Sequence, residues 1–253
     1  MSRLIKLAYY LGSLVFLLGE IISSFFSRQK KNLLDIINQM IFLGLDSLGL
    51  VSVVALFTGI IIAFQSAYQL QRLSSEIYIA SLVVLSLTRE LGPVLASLIV
   101  AGRSGAAITA QISSMKATEQ LDALKTLGAE PVEYLIMPRF IALVVTLPLL
   151  IVYADFLGIL GGYIVGGSKF GMSFGLYFRM SLEALQFKDI LAGLIKSFVF
   201  AIIIGLISAR EAFDASGASE GVGIAVNKEI VRSFIMIIIA DCFLTTLFYS
   251  ILR

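Results

Sequence analysis

Long apolar stretches alternate with short polar ones along the whole chain. Between Asp46 and Arg72 stand 25 uncharged residues, Ser47 to Gln71. A helix over them, at about 1.5 Å per residue, reaches roughly 37 Å, more than a bilayer core requires. Four further apolar stretches are interrupted by charge. Ile77 to Met115 carries Arg89, Glu90 and Arg103, Phe140 to Ser168 carries Asp155, Ile190 to Ala209 carries Lys196, and Ser233 to Leu252 carries Asp241. Each is still long enough to cross, so the pattern predicts five transmembrane helices over 47–71, 77–115, 140–168, 190–209 and 233–252. Polar connections separate them at Arg72 to Glu76, Lys116 to Arg139, Lys169 to Asp189 and Arg210 to Arg232.

Residues 4–27 are apolar but contain Lys6 and Glu20. Ser23-Ser24-Phe25-Phe26 makes a poor cleavage site, and the basic group Arg28-Gln29-Lys30-Lys31 follows it, so the segment reads as a helix lying in the membrane interface rather than as a signal peptide. With the N-terminus cytoplasmic, the inner segments hold eleven Lys and Arg and the outer ones five. That asymmetry places the loops 116–139 and 210–232 in the cytoplasm and the C-terminus outside.

Composition agrees with the pattern and removes much chemistry. The chain is 58% hydrophobic and 14% charged, with a mean hydropathy of +0.97. It has no His, no Trp and one Cys, Cys242. A Cys/His zinc site, a disulfide framework and a His-based triad are therefore excluded. No Gly-Lys dipeptide occurs, so there is no phosphate-cradling Gly-Lys loop for ATP. A net charge of +2, scattered along the chain, gives no nucleic-acid footprint.

The second span is the most unusual. Counted from Ile77, Arg89 and Glu90 lie about 18 Å down, near the midplane, and Arg103 about 39 Å down, where it can snorkel to the interface. Pro93 leaves the Arg89 carbonyl without its helical donor, so a freed acceptor sits beside the buried charges. Neighbours in sequence project about 100° apart, so Arg89 and Glu90 are each expected to find a partner on another helix. They serve either as buried ion pairs or as a substrate path. Asp155 and Lys196 fall at similar depth, which points to a structural pair over a proton relay. Asp241 sits mid-span with Thr245 and Thr246 one turn on. Gly158, Gly162 and Gly166 repeat every four residues, a smooth face for helix packing.

The connection 116–139 carries its own pattern. Thr118 is placed to cap a short helix with Glu119 in its first turn; Leu121, Leu124 and Leu127 form an apolar ridge, and Gly128 and Pro131 end it. The ridge suits a lipid surface or a cytoplasmic partner.

These residues resemble a family. Arg89-Glu90-Leu91-Gly92-Pro93-Val94, Ala101-Gly102-Arg103-Ser104-Gly105, Thr118-Glu119-Gln120-Leu121-Asp122-Ala123-Leu124 and Pro138-Arg139 are similar to the signature of the MlaE-type permeases, membrane subunits of ABC transporters that work with MCE-domain proteins on lipids. Gly221-Val222-Gly223 with Asp241 downstream is similar to the family's C-terminal pattern, and the resemblance covers about residues 40–250. The chain departs from that pattern at Gln111 and Ser113, where the family usually has Glu and Gly, and at Ala225-Val226, where it usually has Ala-Thr.

The resemblance implies an all-α integral membrane protein with an N-terminal interfacial helix, five transmembrane helices and a cytoplasmic coupling helix between the second and third spans. It implies a homodimer in the bacterial inner membrane, clasped by a separate ABC ATPase, with an MCE-domain periplasmic protein outside and, in some systems, a small STAS-type regulatory subunit. Thr118, Glu119, Gln120, Leu121, Asp122, Leu124 and Leu127 would seat in the ATPase. Arg89 and Glu90 would meet a phospholipid head group. Helical spacing adds Leu56, Ile60, Phe64 and Tyr68 as acyl-chain positions. ATP and Mg would be bound by the partner, so this chain needs no cofactor and is not an enzyme. Two rivals remain on the residues alone. One is an ion-coupled secondary transporter using Arg89, Glu90, Asp155, Lys196 and Asp241. The other is an intramembrane enzyme, disfavoured because no activated nucleophile accompanies the carboxylates. Five spans, with no internal repeat, do not divide into the equal halves of an inverted-repeat carrier.

Overall fold

In lipid every backbone donor and acceptor must be satisfied within its own segment, so uncharged runs of Leu, Ile, Val and Ala become helices. The computed structural model describes residues 3–25, 33–71, 76–216 and 219–251 and is helical throughout, with no strand among the described residues. The helices are α1 (Arg3–Phe25), α2 (Leu33–Leu43), α3 (Leu48–Gln71), α4 (Ile79–Ser86), α5 (Gly92–Val100), α6 (Ala106–Ala117), α7 (Gln120–Thr126), α8 (Met137–Phe170), α9 (Phe174–Ala184), α10 (Phe187–Asp214) and α11 (Ser219–Ile251). Three π-turns, Leu87–Leu91, Ala101–Gly105 and Val132–Ile136, join α4 to α5, join α5 to α6 and lead into α8.

Among the described residues, five stretches are long and apolar enough to cross a membrane: Leu33–Gln71, Ile79–Ala117, Val132–Phe170, Phe187–Asp214 and Glu220–Ser250. A shorter apolar stretch, Ala8–Ser24, lies in α1. The five expected spans and the N-terminal apolar helix are therefore present. The basic group from Arg28 to Lys31 and the turn at Arg72 lie outside the described residues.

Two connections differ from expectation. The polar segment 210–232 is no loop: α10 runs on to Asp214 and α11 begins at Ser219. Two of its carboxyl groups, Glu211 and Glu229, are buried, while Asp214, Glu220 and Lys228 stay exposed. The segment 169–189 contains α9, started by Ser173, whose Oγ accepts from Leu176 N at 3.3 Å.

Packing divides the chain into two compact units, one of Met1–Asp46, Val100–Thr146 and Ala201–Ile237, the other of Ser47–Ile99, Leu147–Phe200 and Ile238–Arg253. In the second unit α3 buries Val51, Ala55, Gly59, Ala63 and Ala67, one small residue per turn. This stripe lets α8 approach closely. A Cβ on Gly59 would strike the Gly158 carbonyl, and one on Gly161 would strike that of Leu56. The glycine repeat of α8 also receives α9, since Gly162 and Gly166 leave room for the fully buried Tyr177 ring. The opposite face of α3, with Val53, Phe57, Ile61, Phe64 and Tyr68, is exposed.

In the first unit, side chains of the second span hold helix ends whose carbonyls lack intrahelical donors. Arg103 Nη1 donates to Phe42 O at 3.0 Å and Ser104 Oγ to Leu43 O at 2.7 Å, closing α2. Lys116 Nζ donates to Phe213 O and Ala215 O at 2.6 and 2.8 Å, closing α10. Arg103 also pairs with Asp46 at 3.5 Å, so it is a clasp rather than a snorkelling residue. The N-terminal helix is tied in by Tyr10, which donates to Glu211 at 3.0 Å, and by Ser13, which accepts from Arg210 at 2.8 Å. Burial first, then the adjacent Glu211 carboxylate, pushes the Tyr10 hydroxyl up to about 12.

Candidate functional site

The site grows out of one proline. Pro93 has no N–H, and the π-turn before it shifts the Gly92 N–H to Leu87 O. Two carbonyls, of Thr88 and Arg89, lose their usual donors. Lys196 Nζ donates to Arg89 O at 2.9 Å. Gly193 brings the α10 backbone against Thr88 O, so close that a Cβ there would lie 2.6 Å from that oxygen. A helix-breaking residue and a buried lysine thus answer each other.

The same lysine organises the charges. Its Nζ lies 2.5 Å from Glu90 Oε2, 2.7 Å from Asp241 Oδ1 and 2.7 Å from Thr245 Oγ1, and its side chain is 1% exposed. Thr245 donates onward to Glu90 Oε1 at 3.0 Å. Arg89 turns the other way, its Nε donating to Asp189 Oδ1 at 2.8 Å. Asp189 is buried in the first turn of α10, where its Oδ2 accepts from Gln186 N at 3.0 Å and the helix dipole favours its charge. Arg89 and Glu90 each find partners on other helices, as their 100° separation requires. Asp241 finds its partner in Lys196.

The expected pair of Asp155 with Lys196 does not form. Lys196 is taken up by Glu90 and Asp241, which approach from the second span and α11. Asp155 instead faces Gly92, and its buried Oδ1 has no partner among the described residues. Rise along a helix gives depth but not azimuth, and the azimuth decided this pairing.

Arg89, Glu90, Lys188, Asp189, Ala192, Lys196, Thr245, Phe248 and Tyr249 line a cavity of about 190 Å³. Three cations, Arg89, Lys188 and Lys196, meet three carboxylates, Glu90, Asp189 and Asp241, so the cluster is formally neutral. It presents hydrogen-bonding groups of both signs beside an apolar wall. The four positions expected on the first span do not line this cavity. Leu56 and Ile60 are half-buried, with Ile60 packed against the Ala63, Val83 and Leu87 core, while Phe64 and Tyr68 are exposed. No group of three or more His, Cys, Asp or Glu is placed to hold a metal among the described residues.

The connection between the second and third candidate spans also differs in detail. Thr118 does not cap α7. Its Oγ1 donates to Ser114 O and Met115 O at 3.0 and 3.3 Å, finishing α6. Glu119 makes the turn at φ 59°, and α7 begins at Gln120. Gly128 ends the segment at φ 77°. The leucine ridge is graded: Leu121 is buried, Leu124 half-buried and Leu127 82% exposed. Asp122, Lys125 and Glu130 are exposed around it. At Gln111 the side-chain oxygen accepts from Arg139 Nη2 at 3.2 Å, a neutral partner for a half-buried side chain.

Sequence reasoning missed Asp189, Glu211 and Glu229. All three lie in segments that read as polar connections. For Asp189 the signal is its place three residues after Gln186, whose N–H it accepts at the start of α10.

Five helices long and apolar enough to cross a membrane, with acidic and basic side chains paired among them, make this a multi-pass membrane protein. The chain belongs to the MlaE permease family, whose model, described as Permease MlaE, matches residues 36–247. It is 41% identical over 250 residues to a probable ABC transporter permease protein of Rickettsia conorii, covering 99% of this chain and 96% of that protein. It is 35% identical over 216 residues to the intermembrane phospholipid transport system permease protein MlaE of Haemophilus influenzae, covering 85% and 83%. A probable ABC transporter permease protein of Synechocystis shares 34% over 214 residues, covering 85% and 81%.

Proposed function

We propose that the chain is the membrane subunit of an ABC transporter that moves phospholipid between the bacterial inner membrane and the periplasm or outer membrane. A separate ATPase binds ATP and Mg and supplies the energy; this chain carries no catalytic group. The observation that carries the reading is the neutral charged cavity around Arg89, Glu90 and Lys196, set against an apolar wall and lined by Lys188 and Tyr249. A phosphate entering it meets Arg89 and Lys188. Acyl chains lie along the exposed face of α3 that bears Phe64 and Tyr68, and Leu56 and Ile60 border that face. Membership of the family, and the intermembrane phospholipid transport system to which the Haemophilus relative belongs, support phospholipid as the cargo.

The same reading assigns 118–127 as the coupling segment, with Leu127 and the charges around it offered to the ATPase. The excess of Lys and Arg on one set of connections supports a cytoplasmic N-terminus and coupling segment and a periplasmic C-terminus. Two copies of the chain form the core, an MCE-domain protein extends the path outside, and a STAS-type subunit can join the ATPase. The test is gentle purification from native membrane followed by mass spectrometry of the accompanying proteins and lipids. Recovery of an ATPase, an MCE-domain protein and stoichiometric phospholipid, with the lipid reduced in Arg89→Ala beyond the loss of yield, supports the reading. A chain that arrives alone and transports in vesicles on a sodium or proton gradient overturns it in favour of an ion-coupled carrier.

A further inference from the structure

Two carboxyl groups outside the charged cavity occupy the same kind of place. Glu229 of α11 is fully buried against Gly105, the last residue of the π-turn Ala101–Gly105; a Cβ there would lie 2.5 Å from its Oε1. Asp155 of α8 lies against Gly92, whose N–H closes the π-turn Leu87–Leu91. Each carboxyl has one buried oxygen without a partner among the described residues, Oε2 of Glu229 and Oδ1 of Asp155. The arrangement recurs once in each compact unit, on the same span, at a glycine each time.

Neither carboxyl faces a cation among the described residues. Around Glu229, the second span offers Gly105, and its nearest charge, Arg103, is directed to Phe42 O and Asp46. From α10 come the Ser208 hydroxyl at 3.3 Å and Glu211, which is held by Arg232 and Tyr10. On α11 itself, Ser233 Oγ donates at 2.8 Å and Arg232 is the cation committed to Glu211. Around Asp155, α3 carries no Asp, Glu, Lys or Arg. Arg89 and Glu90 are committed to Asp189 and Lys196, and Tyr153 on the same helix bonds Ser52 at 2.8 Å. An isolated carboxylate cannot be held in such surroundings without large cost, whereas a neutral acid can.

We propose that Glu229 and Asp155 are proton-binding sites, each carboxylic acid seated neutral on the glycine at the C-terminal end of a π-turn in the second span. The ligand is the proton alone. Displacement of the second span from either seat opens the acid to water and releases its proton, so proton release follows the motion of this span. This inference is independent of the cargo and of the ATPase.

The test uses the full chain in lipid nanodiscs. Infrared spectroscopy at neutral pH is expected to show the carbonyl stretch of protonated carboxylic acid, reduced in Glu229→Gln, reduced in Asp155→Asn and lost in the double variant. In parallel, a site that holds its proton only in the folded state makes folding less favourable as pH rises, tenfold per pH unit per site until the folded site itself ionises. Thermal stability of the native chain should therefore fall as pH rises, and the double variant should not follow it. Absence of the infrared band, or a band unchanged in the variants, overturns the proposal. So does failure of Glu229→Gln to accumulate, because the amide is isosteric with the neutral acid. Stabilisation of the native chain by sodium ions, lost in Glu229→Gln, would mark a metal-ion site and overturn it as well.

Discussion

Replacing Lys196 by Met tests the core of the charged cavity. The side chain is 1% exposed and within 2.7 Å of both Glu90 and Asp241, with two further hydrogen bonds, to Arg89 O and Thr245. Met matches the stem and removes the ammonium group, with its charge and its donors. Breaking a buried pair by deleting one partner costs about 3–5 kcal/mol, because the other charge stays behind. Asp241, at 20% exposure, carries most of that loss. Glu90 is 37% exposed and its share is screened to about 1 kcal/mol or less. The Arg89 carbonyl freed by Pro93 adds the cost of an orphaned acceptor, about 1–3 kcal/mol if no water reaches it. Together these come to about 4–8 kcal/mol, which lowers the melting temperature of a chain of this size by roughly 8–32 °C. The assay is circular dichroism on heating in mild detergent, comparing Lys196→Met with the triple change Lys196→Met, Glu90→Gln and Asp241→Asn. The triple variant should recover most of the loss, since it removes the stranded charges together. A single variant within 1 kcal/mol of native, or a triple variant no better than the single, would refute the reasoning.

Two further outcomes follow from packing. Tyr177→Phe should leave stability unchanged or raise it, because the buried hydroxyl has no partner among the described residues. Gly162→Ala should cost about 1–3 kcal/mol through collision with that hydroxyl, and Tyr177→Phe should relieve part of it, a coupling that thermal melts of the two singles and the double would reveal. If 118–127 is the proposed coupling segment, Leu127→Asp should abolish binding of the ATPase in pull-down while leaving the melting curve intact, since the residue is 82% exposed. Leu121→Asp should instead lower stability by several kcal/mol by burying a charge, and similar melting curves for the two would remove the inward role of Leu121.

The spans were legible because each is a long uncharged run, a signal that depends only on composition along the chain. The freed Arg89 carbonyl was also legible, since Pro93 removes a donor wherever the helix points. What could not be read was which side of a helix faces which neighbour. Asp155 and Lys196 share a depth, yet one faces Gly92 and the other faces Glu90 and Asp241. The π-turns made this harder, because each inserts a residue into the helical period and rotates everything after it by about 100°. The polar segment 210–232 looked like a loop because its charges were counted as solvated. In the fold Glu211 and Glu229 are interior, and the helices continue through them. Thr118 misled for a similar reason: its hydroxyl finishes one helix where the local pattern suited the start of the next.

The lysine in α10 has a consequence for how the chain is made. Synthesis proceeds from the N-terminus, so the second span leaves the ribosome before α10, and α11 leaves after it. A lone cation entering a bilayer is strongly disfavoured. Glu90 and the Arg89 carbonyl are then the acceptors available to Lys196, and Asp241 arrives only with the last helix. Of the lysine's two counter-ions, Glu90 therefore precedes it along the chain and Asp241 follows it.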